Sequence, residues 1–456
     1  MRTVMKFGGS ILSKEEELHR VAKVIKERRA KEEIVAVVSA LKGITDSLID
    51  AACAALENGE GIDKAVEAAR ETHLGILKGI RGKEIKEEAE KKVLEKITVI
   101  ERALYGISYL KELSPRSLDL VQTMGERMSA PILEAYLRDN GIEAVSFDEA
   151  FIATNSEHGQ GLPEMEETGK AIEEKVGKLI HNKVAVLPGF FGKDKGQNIV
   201  SFGRGGSDFS AAIVASSLGA NALELWKDVD GFMTADPKIV QKAELLPNVS
   251  YDEAEELGYF GAKIIFPRTV PPLREKGTEI VIKNILSPEK TGTVVSGKRE
   301  KHERIVKSIA VKRSTAAITL RSPAFVGQAG ILEKIFSAMA DVCVSVDLVA
   351  TSETGVSFTV DEKDFEIAKQ AIPKIDLPLE NVEFNRDVAL LGLVGEGLKR
   401  TPGIAGRVFS CLGKHGINVE MISMGSSEIN MSFLIKEKDL EKAVKVLHEE
   451  IVEAKK

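Results

Sequence analysis

One glycine-rich segment, Gly203 to Asp208 (GRGGSD), constrains the fold of this chain more than any other stretch. It follows a strand-like alternation, Asn198 to Phe202, and precedes the helical apolar spacing of Phe209 to Ala215. Glycines at a strand-to-helix turn let backbone N–H groups approach a ligand, and the start of a helix favours anions. A second such turn, Lys6 to Ser10 (KFGGS), follows a short apolar strand. Because each turn carries a cation, the pair predicts one anion-binding site built from both halves of a domain.

The order of strand-like and helix-like segments predicts one large α/β domain over 1–295. Val4 to Phe7 predicts a strand, Lys14 to Arg29 a helix, and Ile34 to Val38 a strand buried on both faces, which together form a βαβ unit. Charged helices are expected from Thr45 to Leu113. The alternation then continues through predicted helices over 117–138 and 253–263 and predicted strands at 145–147, 184–187, 223–226 and 279–283. A Lys/Glu-rich linker is predicted from Ser296 to Arg304.

After the linker the sequence repeats itself. Gly330 to Ser337 matches Gly403 to Ser410, and the pair Val346-Asp347 matches Val419-Glu420. Each copy has the pattern of a strand, a glycine loop, a helix, two strands and a helix. We therefore predict two small αβ sandwiches in tandem, at 305–384 and 385–456.

Composition excludes several classes of function. The 63 basic and 70 acidic residues give a net charge of −7, so neither a basic face nor a nucleic-acid partner is expected. The three cysteines, Cys53, Cys343 and Cys411, show no metal-ligand spacing and suit a reducing compartment. No signal peptide is apparent, and no apolar run reaches the roughly 20 residues that span a bilayer. We expect a cytoplasmic protein without a membrane segment or a protein-held metal.

Several segments, in order along the chain, share motifs with one enzyme family. They are Lys6 to Gly9, Ser39 to Thr45, Gly125 to Arg127, Gly203 to Asp208, Asp228 to Gly231 with Asp236-Pro237, and Phe260 to Lys263. These resemble the motifs of aspartate kinases, and the repeat resembles their paired regulatory ACT domains. The resemblance implies the amino acid kinase fold, a mainly parallel three-layer αβα sandwich, followed by two ferredoxin-like βαββαβ ACT domains.

The implied reaction is the ATP-dependent phosphorylation of the side-chain carboxylate of L-aspartate to 4-phospho-L-aspartate, the first step towards lysine, threonine and methionine. Such a transfer brings two anions together, so catalysis consists mainly of charge neutralisation and positioning. A carboxylate acceptor with a pKa of about 3.9 is already ionised at neutral pH and requires no general base. Mg²⁺ is expected to arrive bound to ATP, because no cluster of acidic ligands is visible in the sequence.

The resemblance also implies a role for each of a set of residues. Lys6 and Lys263 would flank the transferring phosphoryl group, and Asp208 would hold the lysines in place. Arg204 would bind an aspartate carboxylate and Glu126 its ammonium group. The acceptor pocket is completed by Thr45 and Phe190, and the implied nucleotide contacts are Gly8, Gly9, Ser10, Asp228, Lys238 and Lys263.

The chain departs from the family pattern mainly on the nucleotide side. Lys227 stands where the family often has Thr, Met233 where it has Tyr, Lys238 where it has Arg, and Phe266 where it has His. The choice of nucleotide therefore stays open. Outside the motifs, His158 is expected to be an ordinary surface-loop residue.

The first repeat is the expected effector site. The stretch Ser345 to Glu353 resembles the lysine-responsive ACT pattern more than its counterpart in the second copy. The implied effector contacts are Gly330, Ser345, Val346, Asp347, Thr351 and Ser352, with Asp347 taking the ammonium group. Lysine is the favoured effector and threonine the alternative, although the repeats could also be packing modules without a ligand. Exposed sheet edges favour a homodimer or a higher homo-oligomer.

Two other functions are open. A kinase of the same fold could act on glutamate, N-acetylglutamate or a related acid, but Glu126 calls for a substrate with a free ammonium group. The chain could also be a catalytically weak, amino-acid-sensing subunit. The intact set of Lys6, Arg204, Asp208 and Lys263 argues against that reading.

Overall fold

A computed structural model describes residues 1–57, 59–260, 264–298, 304–425 and 427–453. The chain divides into two compact units, the first formed by 1–231, 247–251 and 264–298 and the second by 232–246, 252–263 and 299–456. The second unit thus takes two stretches from within the first predicted domain. The boundaries 1–295, 305–384 and 385–456 stay predictions.

The regular elements follow the predicted alternation closely. The strands are β1 (Arg2–Phe7), β2 (Glu33–Val38), β3 (Ala144–Ser146), β4 (Val184–Pro188), β5 (Phe191–Lys193), β6 (Ile199–Ser201), β7 (Ala222–Lys227), β8 (Asn248–Ser250), β9 (Glu279–Asn284), β10 (Thr293–Ser296), β11 (Ser308–Arg321), β12 (Val346–Ser352), β13 (Gly355–Asp361), β14 (Asn381–Val394), β15 (Met421–Met424) and β16 (Asn430–Lys436). The helices are α1 (Glu15–Arg29), α2 (Ile44–Glu57), α3 (Ile62–Leu77), α4 (Lys83–Leu110), α5 (Pro115–Gln122), α6 (Met124–Asp139), α7 (Met165–Ile172), α8 (Gly206–Ser217), α9 (Tyr251–Tyr259), α10 (Pro271–Arg274), α11 (Ile331–Asp341), α12 (Phe365–Ala371), α13 (Ile404–Lys414) and α14 (Leu440–Leu447).

The first unit is built on an eight-stranded sheet with the order β3-β4-β2-β1-β7-β9-β10-β8. From β3 to β9 every neighbouring pair is parallel, whereas β10 runs antiparallel to β9. The carboxyl ends of β4, β2, β1 and β7 therefore lie side by side at one edge. Ligands of open α/β sheets bind at this edge.

Side-chain alternation along β1 gives its two faces different partners. Met5 and Phe7 belong to the large apolar core that includes residues of α1, α4 and α6. Lys6 points to the opposite face because successive strand residues alternate. There it meets α8, whose residue Asp208 is its ion-pair partner. The strand pattern thus delivers a buried cation to the helix that follows the glycine-rich turn.

Three predicted elements differ from the structure. The single helix expected over 117–138 is two helices, α5 and α6, which separate at Thr123; its hydroxyl donates to the carbonyl of Asp119, a bond that bends helices. The strand expected near Ile199 pairs with β5 in a two-stranded hairpin outside the main sheet. The helix expected over 253–263 is α9, whose described part ends at Tyr259, and 261–263 lie outside the described residues.

The two repeats of the second unit share one six-stranded antiparallel sheet with the order β12-β13-β11-β14-β16-β15. The first half of β11 (308–312) pairs with the end of β14 (390–394), which also pairs with β16 of the second repeat. The second half of β11 (315–321) pairs with β13 of the first repeat. It also pairs with the start of β14 (381–388). Each repeat therefore obtains the fourth strand of its βαββαβ pattern from a segment outside its own βαββα pattern. Two separate apolar cores lie under this common sheet.

Specific contacts explain why two early stretches belong to the second unit. Thr234 bonds to His448 with a distance of 2.9 Å between Oγ1 and Nε2, and its carbonyl accepts from Ile309 at 2.9 Å. On α9, Glu253 pairs with Lys307 at 2.8 Å.

Among the described residues, no helix is both long enough and apolar enough to cross a membrane.

Candidate active site

A cleft of about 590 Å³ lies at the carboxyl edge of the first sheet and brings both glycine turns together. It is lined by the turn after β1, the loop after β2, the start of α6, Phe190, and the turn before α8. The predicted residues that line it are Lys6, Gly9, Ser10, Thr45, Glu126, Phe190, Arg204 and Asp208. Segments far apart in sequence thus form one site, as the two turns predicted.

Two glycines show why these turns need the residue without a side chain. A Cβ atom on Gly9 would overlap the carbonyl oxygen of Ala40, so the turns after β1 and β2 can approach only through glycine. Gly205 has a φ of 71°, in the left-handed region, and a Cβ there would overlap the ring of Phe266. Both glycines line the cleft, so no side chain of theirs separates the backbone from a ligand.

Asp208, which lines the cleft with Lys6, is the carboxylate partner of two cations. The Nζ atom of Lys6 lies 2.6 Å from Oδ1 of Asp208, and Nζ of Lys227 lies 3.2 Å from Oδ2. Burial favours the neutral acid, but Lys227 and Lys6 outweigh it and lower the pKa of Asp208 to about 2. Burial also lowers the pKa of Lys6, against the attraction of Asp208. With both lysines protonated, the group carries one excess positive charge.

Glu126 is a buried carboxylate that faces the cleft from the first turn of α6. Burial raises its pKa to about 7, although hydrogen bonds from the backbone and from Ser207 act in the opposite direction. The Ser207 hydroxyl donates to Oε1 at 3.4 Å, whereas Oε2 has no hydrogen-bond partner in the described part of the chain. A buried, under-satisfied carboxylate is suited to a cationic ligand.

The other acceptor-side residues surround Glu126. Arg204 is exposed at the tip of its turn and forms no ion pair with any described residue. Phe190 has a φ of 80°, and its ring lies so close to Gly206 that a Cβ there would be 2.7 Å from it. Thr45 is half-buried at the start of α2. The structure brings these three residues to one cleft, but their individual roles stay predictions.

The predicted nucleotide residues are less closely grouped. Gly8 follows β1, and its backbone N–H donates to the carbonyl of Trp226 at 3.3 Å. Asp228 is exposed directly after β7, and Lys238 is an exposed residue of the second unit. Lys263 lies outside the described residues.

The predicted effector residues fall into two groups within the second unit. Gly330, Thr351 and Ser352 line a cleft of about 560 Å³ between the glycine loop before α11 and the end of β12. Ser345, Val346 and Asp347 lie at the opposite end of β12 and do not line this cleft. The carboxylate of Asp347 is paired with Lys312, which also contacts Asp361 at 2.7 Å.

Sequence reasoning missed a few residues of the first unit. Lys227 was identified from the sequence only as a departure from the family pattern, yet its side chain is a direct partner of Asp208. His158 was expected on the surface, but its Nδ1 lies 2.8 Å from the carboxylate of buried Asp119. Gln122, the last residue of α5, also lines the cleft, but the break at Thr123 separates it from the helix of Glu126, so spacing along one helix does not predict its place.

Comparison with known proteins settles the family. The profile of the Amino acid kinase family matches residues 1–284, and an ACT domain profile matches 318–374 and 391–451. Aspartokinase 1, chloroplastic, from Arabidopsis thaliana is 33% identical over 465 residues, which cover 99% of this chain and 80% of the plant protein. The chain belongs to the aspartokinase family. The lysine-sensitive aspartokinase 3 of Escherichia coli (strain K12) is 30% identical over 456 residues and covers 99% of both chains.

Solved structures confirm the predicted fold class for this aspartokinase. Escherichia coli aspartokinase III in complex with aspartate and ADP (R-state) gives a TM-score of 0.84 at 28% identity, over 99% of this chain and 100% of the other. The complex of that enzyme with lysine and aspartate (T-state) gives 0.82 at 27% identity, over 98% and 99%. An amino acid kinase domain followed by two ACT domains is therefore established for this chain.

Proposed function

We propose that this chain transfers the γ-phosphoryl group of ATP to the side-chain carboxylate of L-aspartate, giving 4-phospho-L-aspartate and ADP. The observation that carries the proposal is the ion-paired group of Lys6, Lys227 and Asp208. Lys6 and Asp208 line the cleft together with the glycine turn 203–208 and Glu126. Two lysines around one carboxylate leave a net positive charge where two anions must meet. Such preorganised charge stabilises the transferring phosphoryl group.

The acceptor half of the cleft supports an amino acid with a free ammonium group. Arg204 is available to hold a carboxylate through a bidentate contact. Glu126 provides a buried negative charge for the ammonium group, and binding the cation would favour its ionised form. Thr45 and Phe190 complete this pocket. An N-acylated substrate would lack the charge that Glu126 requires.

The phosphates of ATP are assigned to Lys6 and to the backbone of Gly8, Gly9 and Ser10. Asp228 and Lys238 are assigned to the nucleotide by family resemblance, as is Lys263. Mg²⁺ would be held by the ATP phosphates and would neutralise part of their charge. Asp208 is a poor metal ligand here because both of its oxygens are engaged by lysines.

Regulation is assigned to the first ACT repeat, with L-lysine as the favoured effector and L-threonine as the second choice. The cleft lined by Gly330, Thr351 and Ser352 supports an amino-acid site. The similar Escherichia coli protein is described as lysine-sensitive. An effector ammonium group at Asp347 would have to compete with Lys312.

The reaction is assigned to the synthesis of lysine, threonine and methionine in the cytoplasm. A homodimer is proposed because β12 and β15 are the edge strands of the six-stranded sheet and could pair with a second copy. This assembly would place effector sites between chains.

The test is ATP turnover by the purified chain with L-aspartate, L-glutamate and N-acetyl-L-glutamate, measured as ADP release and as acyl phosphate trapped by hydroxylamine. We expect aspartate alone to support turnover and to yield the hydroxamate. Equal or faster turnover of N-acetylglutamate would reject the proposed acceptor. ADP release without hydroxamate would reject phosphorylation of a carboxylate.

A further inference from the structure

A buried carboxylate beside the cleft, Asp119 of α5, joins three segments that the proposed mechanism leaves unconnected. Its side chain is 1% exposed. Oδ2 accepts hydrogen bonds from the backbone N–H groups of Gly159 and Ser201, each at 3.1 Å, and lies 2.8 Å from His158 Nδ1. Oδ1 accepts from Nε2 of Gln122 at 2.7 Å. All of these partners donate to the carboxylate. Asp119 thus accepts hydrogen bonds from the loop of His158 and Gly159, from β6 and from the end of α5.

The loop that Asp119 holds packs directly on the turn that carries Arg204. Gly203 has a φ of 70°, and a Cβ on it would be 2.6 Å from the carbonyl oxygen of Gly159. The backbone N–H of Gly161 also donates to the carbonyl of Ser201 at 2.9 Å. Because Asp119 bonds to both Gly159 and Ser201, it fixes the position from which Arg204 projects.

Asp119 also orients Gln122, which lines the cleft. The amide nitrogen of Gln122 donates to Asp119 at 2.7 Å and to the hydroxyl of Ser201 at 3.0 Å. These bonds occupy both of its N–H groups and leave the carbonyl oxygen as the side chain's remaining polar atom. That oxygen is a neutral acceptor of a residue that lines the same cleft as Glu126, where the substrate ammonium group is proposed to bind.

We propose that Asp119 is a positioning residue for acceptor binding, acting through the Arg204 turn and Gln122. The inference rests on the proposed aspartate kinase activity. In this role Asp119 contacts neither the substrate nor Lys6 and Lys227. Its loss should therefore weaken aspartate binding and leave ATP binding nearly unchanged.

Asp119→Asn is the sharpest variant, because it keeps the shape and replaces one acceptor oxygen by a donor. Whichever way the amide is turned, its NH₂ group faces at least one N–H donor, from Gln122 or from the backbone of Gly159 and Ser201. Asp194→Asn is the matched control. Asp194 is 5% exposed and accepts from the backbone of Asn198 at 2.8 Å and from Ser156, in the same loop as Gly159, at 3.0 Å. Unlike Asp119, it bonds to neither Ser201 nor Gln122 and does not line the cleft.

The experiment measures KM for aspartate and for ATP in the wild type and both variants, together with hydrogen–deuterium exchange of a peptide spanning 201–207 without substrate. For Asp119→Asn we expect KM for aspartate to rise about tenfold and KM for ATP to stay within about twofold, since one buried acceptor is mispaired. Amide exchange in 201–207 should become faster. Asp194→Asn should change none of these quantities.

An equal rise in both KM values, or the same rise in KM for aspartate in Asp194→Asn, would overturn the inference. A combination of Asp119→Asn with Arg204→Lys gives a further check. If Asp119 acts through the Arg204 turn, the double variant should be less impaired than the product of the single effects. Unchanged exchange in 201–207 would also contradict the inference. Because exchange is measured without substrate, failure of wild-type aspartate turnover would reject the proposed function separately.

Discussion

The Nζ atom of Lys6 lies 2.6 Å from Oδ1 of Asp208, and both side chains are buried below the two glycine turns. An ion pair so enclosed is expensive to break, because either partner alone would be an uncompensated buried charge. The pair therefore links the end of β1 to the first turn of α8 and fixes the lysine at the proposed phosphoryl site.

Removing either member of this pair should abolish most of the activity. We expect Lys6→Ala and Asp208→Ala each to lower kcat by about two orders of magnitude or more, since each loses about 3 kcal/mol of charge stabilisation. Steady-state ADP release at saturating substrates measures the effect. Activity of both variants within about fivefold of wild type would remove Lys6 and Asp208 from the mechanism.

The ion pairs of Asp208 with Lys6 and Lys227 should make the free energy of unfolding depend on pH. Lowering the pKa of Asp208 from 3.8 to about 2 corresponds to about 2 kcal/mol of stabilisation. Because the folded-state pKa is depressed, this contribution is present above about pH 4 and is lost as pH falls through about 2. In urea unfolding between pH 6 and about 2.5, the difference in free energy of unfolding between wild type and Asp208→Asn should shrink. A difference that stays constant over this range would contradict the assignment.

Glu126 should give aspartate binding a pH dependence. With its pKa raised to about 7 in the free site, the carboxylate that takes the ammonium group forms only as pH rises through neutrality. We expect KM for aspartate to fall between about pH 6 and 8 and Glu126→Gln to remove this trend. For stability the sign is opposite: a raised folded-state pKa makes the fold lose stability as pH rises from 4.5 to about 7.

A second buried glutamate on the same helix is the control for that trend. Glu134 is paired with Lys92 at 2.8 Å and does not line the cleft. Glu134→Gln should therefore keep the pH dependence of KM. Loss of the trend in both variants would point to a general effect of α6 rather than to ammonium binding.

Arg204→Lys should separate the two substrates. Lysine keeps the charge but cannot make the bidentate contact of a guanidinium group with a carboxylate. KM for aspartate should rise about tenfold, while KM for ATP stays within about twofold. The reverse pattern would transfer Arg204 to the nucleotide side of the cleft.

Inhibition by L-lysine should depend on Asp347. If its carboxylate takes the effector ammonium group from Lys312, Asp347→Ala should abolish inhibition at millimolar lysine. Asp361→Ala is the matched control, because Asp361 is the other described partner of Lys312 at 2.7 Å. It should keep inhibition. A wild type indifferent to lysine would reject this effector, and indifference to threonine as well would reject sensing by the repeat.

Local patterns were sufficient for most of the site. The apolar strand before Gly8 and the glycines before Asp208 encode a strand end and a helix start, so Lys6 and Asp208 could be placed from short segments alone. Sheet order then brings the carboxyl ends of β1, β2, β4 and β7 together. The family motifs added Glu126 and Arg204.

Long-range pairing could not be read in the same way. Asp119 accepts from Ser201 across 82 positions, and its neighbouring sequence gives no sign of that partner. His158 has the same difficulty, since a lone histidine in a polar loop shows nothing of a buried carboxylate 39 residues away. Likewise, the sequence of β11 carries no mark of the point beyond which β13 pairs with it, in addition to β14, which pairs with both halves of β11.

The shared strands of the second unit have a consequence for how this enzyme can be divided or recombined. A cut between the repeats at residue 385 would fall inside β14, and it would leave 308–312 without the strand that they pair with. Neither repeat could be transferred to another protein by itself, because each fragment would expose a strand whose backbone N–H and C=O groups lack partners. Such strand edges favour aggregation. Exchange of regulatory properties between relatives would then have to move the whole segment from β11 to α14 as one piece.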